Sequence, residues 1–411
     1  MPKYMQISGV LVIAFVICMM LPETWSAGLH LGAVPVATIL IAILSCVLIV
    51  RQLSTPGDPS FGVVAATAAL VAMVALGYFR GNVGTYSMKF LVADIYCFTG
   101  LLAGYAFTRA GGADKGSPVA SKIATIASIT IVVNYLGIFT GIITPLFGMD
   151  SGRLVTGSIF EATAVLLIVL PLASVVQGGR STSLMLLIGS AATLLSGTRS
   201  MLILTVLTGM VCLVLRPRRV DIRFVLRVTA GLALAAVMYV LSAARFNSDV
   251  FQRLSQTEGS SEPRTMELLL FWAQVSGDLV TGQGMGSRFV SNVIVEGDPL
   301  ASAPHVGIVT LLMKGGIGAF VAFVMLPLFI ALMVFFSKNQ SRLRRAGAGS
   351  LLLYVTLACQ SGGWDPLLLF IYGMAISVMV CGARSHVLRS LTGGRIVGSR
   401  LPEVRSPLVD A

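Results

Sequence analysis

Long apolar blocks with almost no charges recur along this 411-residue chain, and they constrain its fold more than any other feature. Charged residues make up 11% of the sequence, against about 25% in soluble domains, and apolar residues make up 56%. Such a chain cannot cover its surface with polar groups, which excludes a cytosolic enzyme, a nucleic-acid-binding protein and a disordered scaffold. Blocks of this length are typical of transmembrane helices. The sequence therefore predicts an integral membrane protein.

The blocks predict an all-α polytopic fold of about twelve transmembrane helices with one long extracytoplasmic loop. The predicted spans are 5–22, 30–50, 61–79, 90–107, 123–147, 158–176, 182–197, 200–215, 224–243, 318–336, 346–363 and 366–383. We expect four parts. They are helices 1–9 (1–243), a loop subdomain (244–305), a short or re-entrant helix followed by helices 10–12 (306–383), and a basic tail (384–411).

The distribution of Lys and Arg predicts the orientation. With twelve spans, 20 of the 29 basic residues fall on the side of the two termini, including the clusters at 216–227 and 338–345. Basic residues in short loops stay in the cytoplasm, so this side is predicted to be cytoplasmic. The net charge of +12 follows from this topology and does not require nucleic-acid binding.

The long loop contains the signal of a helix. Ser261-Glu262-Pro263 predicts an N-cap followed by a proline in the first turn. Apolar side chains then recur at helical spacing, at Leu268, Phe271, Trp272, Val275 and Leu279. We predict an amphipathic helix over 262–277 that lies on the membrane or covers the helix bundle.

Arginines on the predicted outer side need an explanation other than topology. Arg199 lies in a tight hairpin, where it either snorkels to lipid phosphates or binds an anion. Arg264 lies in the first turn of the predicted loop helix, where a cation opposes the helix dipole at a cost of ~0.3–1 kcal/mol. With the free N–H groups of that turn it would form an anion site, and otherwise it is a solvated charge. Arg288 is a weaker candidate, since arginines are common in loops near a membrane.

His305 closes the loop and is one of three histidines in the chain. Imidazole can act as a base near neutral pH, although a lone histidine is more often structural. The sequence shows no cluster of His, Cys, Asp or Glu at metal-binding spacing, so no metal and no cofactor are predicted. Asp94 and Glu161 lie within or at the ends of spans, and the sequence shows no evident partner for either. The glycine-rich residues 282–286 follow no predicted strand, which favours a flexible turn over a nucleotide-binding loop.

Short motifs over about 190–335 resemble the O-antigen ligase and Wzy-type polysaccharide polymerase family of bacterial membrane glycosyltransferases. The resemblance rests on the hairpin 195–200, on Pro263-Arg264 before an aromatic-containing helix, on 281–286, on His305 and on the run 311–318. One departure is Val306, where the family usually has Asn after the histidine. Before residue 190 only the hydropathy agrees.

The resemblance implies a GT-C-like fold and a function. Such proteins transfer a glycan from undecaprenyl diphosphate to a sugar hydroxyl on the periplasmic face of the inner membrane, without metal, nucleotide sugar or other cofactor. Arg199, Arg264 and Arg288 would bind the diphosphate, Arg264 would also act in catalysis, and His305 would position or deprotonate the acceptor hydroxyl. Ligases use the lipid A-core as acceptor and polymerases use a growing glycan, sometimes with a chain-length regulator. The sequence leaves both open.

A twelve-helix transporter of an anionic or lipid-linked substrate is the competing interpretation. It fits the composition and the number of spans. Two features count against it. A six-plus-six transporter would place its long linker after the sixth span, where only 177–182 is found, and 51–60 lacks the Asp-Arg-rich loop expected after a second span.

Overall fold

The structure is a computed structural model of the chain. It describes residues 2–20, 40, 43, 61–80, 87–111, 113–145, 154–177, 179–215, 261–295, 298–301, 306–360, 362 and 364–381. The predicted helix 224–243, nearly all of the predicted helix 30–50, His305 and the basic tail 384–411 lie outside the described residues.

Helices account for most of the described residues. They are α1 (Pro2–Met19), α2 (Phe61–Arg80), α3 (Met88–Gly111), α4 (Ala113–Phe139), α5 (Gly157–Ala173), α6 (Gly179–Ser196), α7 (Arg199–Val214), α8 (Ser261–Val275), α9 (Thr310–Phe320), α10 (Leu326–Phe336), α11 (Arg342–Gln360) and α12 (Pro366–Cys381). A π-helical turn, Val321–Met325, joins α9 to α10. Short 3-10 turns lie at Ser276–Asp278 and Gly307–Val309.

One pair of strands departs from the expected all-helical fold. Within the loop subdomain, β1 (Phe289–Val295) pairs antiparallel with β2 (Asp298–Ala301), and Phe289 lies opposite Ala301. The sequence-based prediction contained no strand. The first strand, β1, has the sequence FVSNVIV, whose β-branched and aromatic residues favour this conformation.

Each predicted span that falls within the described residues coincides with a helix, although boundaries differ. Helix α4 begins at Ala113 and not at 123, and α11 begins at Arg342 and not at 346, because hydropathy marks the apolar part of a helix and misses its polar first turns. Three helical stretches of the described chain are long and apolar enough to cross a membrane: Phe90–Arg109, Gly116–Phe139 and Gly307–Phe336. Five more apolar helical stretches are shorter.

The exposed surface of α10 also suits a nonpolar environment. Phe329, Met333 and Phe336 are each more than half exposed, at 61%, 61% and 73%. A contiguous apolar face of this kind is unusual on soluble monomers and is typical of surfaces that contact lipid or a partner.

Helices α3 and α12 run parallel, since Gly100 faces Pro366 and Gly104 faces Phe370, and their starts and ends mark two distinct ends of the bundle. At the first end, which we name the loop end, Ser87 before α3 donates to the carbonyl of Gly286 in the loop subdomain at 2.9 Å. Trp364 before α12 reaches Asp94 near the start of α3 at the same end. At the opposite end, Ser117 near the start of α4 donates to the carbonyl of Leu172 near the end of α5.

Three arginines define this opposite end, which we name the basic end. Arg342 donates to the carbonyl of Ser174 after α5 at 3.1 Å. Arg344 donates to the carbonyl of Met379 in the last turn of α12 at 2.7 Å, and Arg345 to the carbonyl of Phe335 in the last turn of α10 at 3.0 Å. The last carbonyls of a helix have no intrahelical partner and carry the negative end of its dipole. The cluster 338–345 therefore holds three helix ends together.

We expect Arg344→Gln to lower the stability of the folded protein by about 1–2 kcal/mol, because a charge-assisted bond to a helix end is lost. Thermal unfolding in detergent measures this as a lower Tm. Arg180→Gln is the matched control, because Arg180 is exposed at the start of α6 at the same end. Equal Tm values for the two variants would contradict the role of Arg344.

Candidate functional site at the loop end

Residues 282–287, which we name the glycine-rich loop, enter the helix bundle at the loop end. Gly282, Gly284 and Gly286 have φ angles of 74°, 84° and 84°, in the left-handed region that glycine adopts without strain. A Cβ added to Gly284 would overlap the backbone of Gly77 in α2, and a Cβ on Gly77 would overlap the carbonyl of Met285. Two backbones meet here without side chains between them. The glycines are therefore required for the close approach.

A break in α9 supplies hydrogen-bond acceptors for this loop. Gly316 has a φ of 68° and a ψ of −170°, which interrupts the helical pattern. The N–H groups of Gln283 and Gly284 donate to the carbonyls of Met313 and Lys314 at 2.7 and 2.9 Å. On the other side, Met285 donates to the carbonyl of Met73 in α2 at 3.0 Å.

These bonds change the interpretation of the glycine-rich segment. The sequence favoured a flexible turn and excluded a nucleotide-binding loop. The structure instead has the segment docked through its backbone N–H groups on the two neighbouring helices. The same N–H groups are thereby unavailable for binding phosphate.

A buried ion pair lies directly beneath the glycine-rich loop. The Nζ atom of Lys314 is 2.8 Å from Oδ2 of Asp94, and both side chains have an exposed fraction of 0%. Lys314 Nζ also donates to the carbonyl of Ser287 at 2.6 Å. The Asp94 carboxylate accepts from the N–H of Gly286 at 2.8 Å and from Nε1 of Trp364 at 3.1 Å. The pair thus joins α3, α9, the glycine-rich loop and the turn before α12.

Sequence reasoning missed this pair. Asp94 has no evident partner in the sequence because Lys314 lies far along the chain, in a segment read only for its glycines and its hydropathy. A signal was available, since an acid and a base that both lie in apolar helices are expected to pair with each other. The other acid singled out in the sequence, Glu161, lies within α5.

The predicted loop helix is present as α8, one residue longer at its start and two shorter at its end. Phe271 and Val275 pack with Phe289 of β1 and Met313 of α9 in a small apolar cluster, with the rings of Phe271 and Phe289 6.4 Å apart. Leu268 and Trp272, which belong to the same predicted apolar stripe, are 42% and 56% exposed. The helix therefore covers the bundle with one face and leaves further apolar side chains exposed.

The three predicted arginines lie in different elements of the described chain. Arg199 is the first residue of α7, which packs against α5, α6 and α11. Arg264 lies in the first turn of α8. Arg288 lies between Ser287 of the buried network and β1, and its Nε atom is buried with no hydrogen-bond partner within the described part of the chain. His305 lies outside the described residues.

The residue after His305 is nevertheless placed. Val306 is buried and forms an isolated parallel bridge with Gly362. A Cβ on Gly307 would overlap the carbonyl of Gly362, so the two chain segments are in direct backbone contact. Gly362, the bridge partner of Val306, lies two residues before Trp364, which binds Asp94.

Asp365 begins α12 beside this contact. Its Oδ1 atom accepts from the N–H groups of Leu367 and Leu368 at 2.8 and 3.0 Å, the arrangement of an N-cap. Burial of the carboxylate raises the pKa of Asp365 to about 6, while these two bonds act in the opposite direction. This N-cap orients the turn that carries Trp364.

A separate apolar cleft of about 230 Å³ lies between α3, the π-helical turn, α10 and α12. Its lining includes Leu101, Phe323, Ile330 and Val380, and Tyr105 is the one lining residue with a polar side-chain atom. The cleft lies in the half of the bundle nearer the basic end. It offers no charged group for a phosphate and is not the candidate site.

Among the described residues, no group of three or more His, Cys, Asp and Glu side chains has the arrangement of a metal site. Comparison of the chain with protein-family models, with curated proteins and with solved structures finds no match.

Proposed function

We propose that the chain is an integral membrane glycosyltransferase that moves a glycan from undecaprenyl diphosphate to a sugar hydroxyl at the periplasmic face. One observation carries the proposal. Two of the motifs behind the family resemblance, 281–286 and 311–318, are in direct contact through the bonds of Gln283 and Gly284 to Met313 and Lys314. Segments that are distant along the chain thus form one local structure, with Arg288 beside it.

The proposed chemistry is a single displacement. An oxygen of the acceptor sugar attacks the anomeric carbon of the donor glycan, and the bond to the diphosphate oxygen breaks with inversion. Arg199, Arg264 and Arg288 bind the diphosphate and stabilise the charge that develops on it, because guanidinium stays protonated and grips phosphate oxygens bidentately. His305 accepts the hydroxyl proton. The loop subdomain excludes water, which competes as acceptor.

The proposal includes the membrane arrangement. Twelve spans with both termini in the cytoplasm place the loop end at the periplasmic face of the inner membrane. The three long apolar stretches support the membrane-spanning part of this arrangement. The basic cluster supports it less strongly than its charge suggests, because Arg342, Arg344 and Arg345 also have a structural role at helix ends.

The acceptor defines two subtypes. An O-antigen ligase uses the lipid A-core, and a polymerase of O-antigen or exopolysaccharide uses a growing glycan, with a chain-length regulator as a partner. Both need the same diphosphate-binding groups and the same base. The proposal therefore includes both subtypes.

The test is complementation of a gene deletion with wild type, Arg199→Ala, Arg264→Ala, Arg288→Ala or His305→Ala. Surface polysaccharide is resolved on gels, and the membrane level of each variant is measured. We expect losses of about 10²-fold or more for His305→Ala and Arg264→Ala, typical for removal of a general base or of a charge-stabilising donor. Arg253→Ala is the control, since Arg253 lies in the same loop outside the motifs.

The product pattern separates the subtypes. Long chains that are not attached to lipid A-core indicate a ligase, and single repeats indicate a polymerase. Wild-type polysaccharide from all four variants would overturn the glycosyltransferase proposal.

The buried ion pair favours a second candidate function, a transporter of an anionic or lipid-linked substrate. Ionisable residues inside membrane helices commonly belong to substrate or proton paths. Asp94 and Lys314 are, however, both bound to backbone groups of the glycine-rich loop, which ties them to the loop subdomain. If the protein is a transporter, deletion of its gene should leave lipid-linked repeats on the cytoplasmic leaflet. Complementation with His305→Ala should then return these repeats to the periplasmic leaflet.

A further inference from the structure

We propose that Asp94 and Lys314 are positioning residues whose ion pair holds Arg288 where it binds the diphosphate of the donor. This inference rests on the proposed function and deepens it, because it concerns the same phosphate site. The sequence resemblance assigns no role to either residue.

The first step of the argument is the backbone immediately before Arg288. The N–H of Gly286 donates to Asp94, and the carbonyl of Ser287 accepts from Lys314, so the ion pair holds the chain on both sides of Ser287. The Ser287 hydroxyl donates to the carbonyl of Gly284 at 2.8 Å. The peptide that enters Arg288 is therefore held by charge-assisted bonds, which are about twice as strong as neutral ones.

The second step is the backbone immediately after Arg288. Phe289 has an exposed fraction of 0% and packs with Phe271 and Met313. Met313 directly precedes Lys314, so the two anchors on either side of Arg288 are attached to the same turn of α9. The Cα atom of Arg288 is thereby held at both neighbours.

The third step is the side chain of Arg288. Its Nε atom is buried and makes no hydrogen bond to the described residues. A buried donor without a partner destabilises the folded protein. A phosphate oxygen would satisfy this donor, and guanidinium binds such oxygens in a bidentate way. A fixed backbone and an unsatisfied donor together describe an arginine held ready for an anion.

The fourth step concerns why charged residues, and not apolar ones, occupy positions 94 and 314. A buried ion pair contributes little net stability compared with well-packed apolar residues. Its hydrogen bonds, in contrast, have defined directions. Asp94 also binds Trp364, whose turn contacts the segment that follows His305. One carboxylate thereby relates the position of Arg288 to that of the chain next to His305.

The test is a double-mutant cycle on binding of undecaprenyl diphosphate, the lipid part of the donor, to the full-length protein in nanodiscs. The variants are Asp94→Asn/Lys314→Met, Arg288→Ala and the triple variant. We expect the Asp94/Lys314 variant to raise Kd about tenfold and Arg288→Ala to raise it at least as much. The triple variant should bind no more weakly than Arg288→Ala, because residues that act through one another are not additive.

Two further variants serve as a control for general destabilisation and as a milder test of the same contact. Thr193→Val/Thr205→Val removes another buried polar pair, 2.9 Å apart between α6 and α7, and should change Tm without changing Kd. Trp364→Phe loosens Asp94 and keeps both charges, so it should raise Kd by about threefold and only while Arg288 is present. The Trp364→Phe variant replaces the Asp94/Lys314 variant in the test if the latter does not fold.

The outcomes are distinguishable. If wild type binds undecaprenyl diphosphate through Arg288 but the Asp94/Lys314 and Trp364 variants bind equally well, the positioning role is overturned and the proposed function stands. The positioning role is also overturned if the increase in Kd of the triple variant equals the combined increases of the Asp94/Lys314 and Arg288 variants, because independent effects of this kind indicate a general loss of structure. If wild type does not bind undecaprenyl diphosphate at all, the proposed function falls and the inference with it.

Discussion

Lys314→Met is expected to destabilise the protein by about 3–5 kcal/mol, far more than the combined replacement Asp94→Asn/Lys314→Met. The single change leaves the Asp94 carboxylate in a fully buried place without its counter-charge. The combined change removes both charges. The amide introduced at position 94 keeps one oxygen, which can accept from Gly286 or from Trp364 but not from both, because these two donors bind different oxygens of Asp94. We expect the doubly changed protein to be clearly less destabilised than Lys314→Met, its remaining loss coming from the Ser287 carbonyl and from the one N–H donor left without an acceptor.

Thermal unfolding in detergent, together with the yield of folded protein, measures this difference. Lys122→Met is the matched control, since Lys122 is exposed on α4 and its loss should change stability by less than about 0.5 kcal/mol. If the single and the combined replacement lower Tm equally, Asp94 does not depend on Lys314 for its charge balance. The pair would then not be the electrostatic unit described above.

Gly104→Ala is expected to disrupt the contact between α3 and α12 at a cost of about 3 kcal/mol or more. A Cβ on Gly104 would overlap the carbonyl oxygen of Phe370. One turn earlier Gly100 faces Pro366 in the same way, and from the other side Gly373 faces Leu101. In each case the obstacle is backbone, which cannot move aside as a side chain can. Small residues spaced by four positions commonly permit such close contact between membrane helices.

Gly9→Ala in α1 is the control, because a Cβ there meets nothing within 4 Å. Alanine is favoured over glycine in a helix by about 1 kcal/mol, so this variant should be as stable as wild type or more stable. Folded yield and Tm in detergent are the measurements. A Gly104→Ala protein as stable as the Gly9→Ala protein would mean that α3 and α12 are not in backbone contact.

The loop helix α8 could be predicted from the amphipathic pattern of the sequence, but the buried network of the candidate site could not. Arg264 and Arg288 stand out in the sequence as cations on the predicted outer side, and their role stays a prediction. The role of the glycines at 282, 284 and 286 was missed, because a run of glycines looks the same whether the chain is flexible or must pass another backbone closely. Only the position of Gly77 and the break at Gly316 distinguish the two.

The sequence by itself determined where the helices lie, because hydropathy and helical periodicity are properties of neighbouring residues and need no knowledge of the rest of the chain. It also marked Asp94 as a costly charge within an apolar segment. Only the tertiary structure decided that Lys314 neutralises this charge, that Ser287 and Gly286 bind the pair, and that α3 meets α12 at its glycines. These contacts join segments far apart in the chain, and each depends on which helix faces lie against each other and how closely their backbones approach.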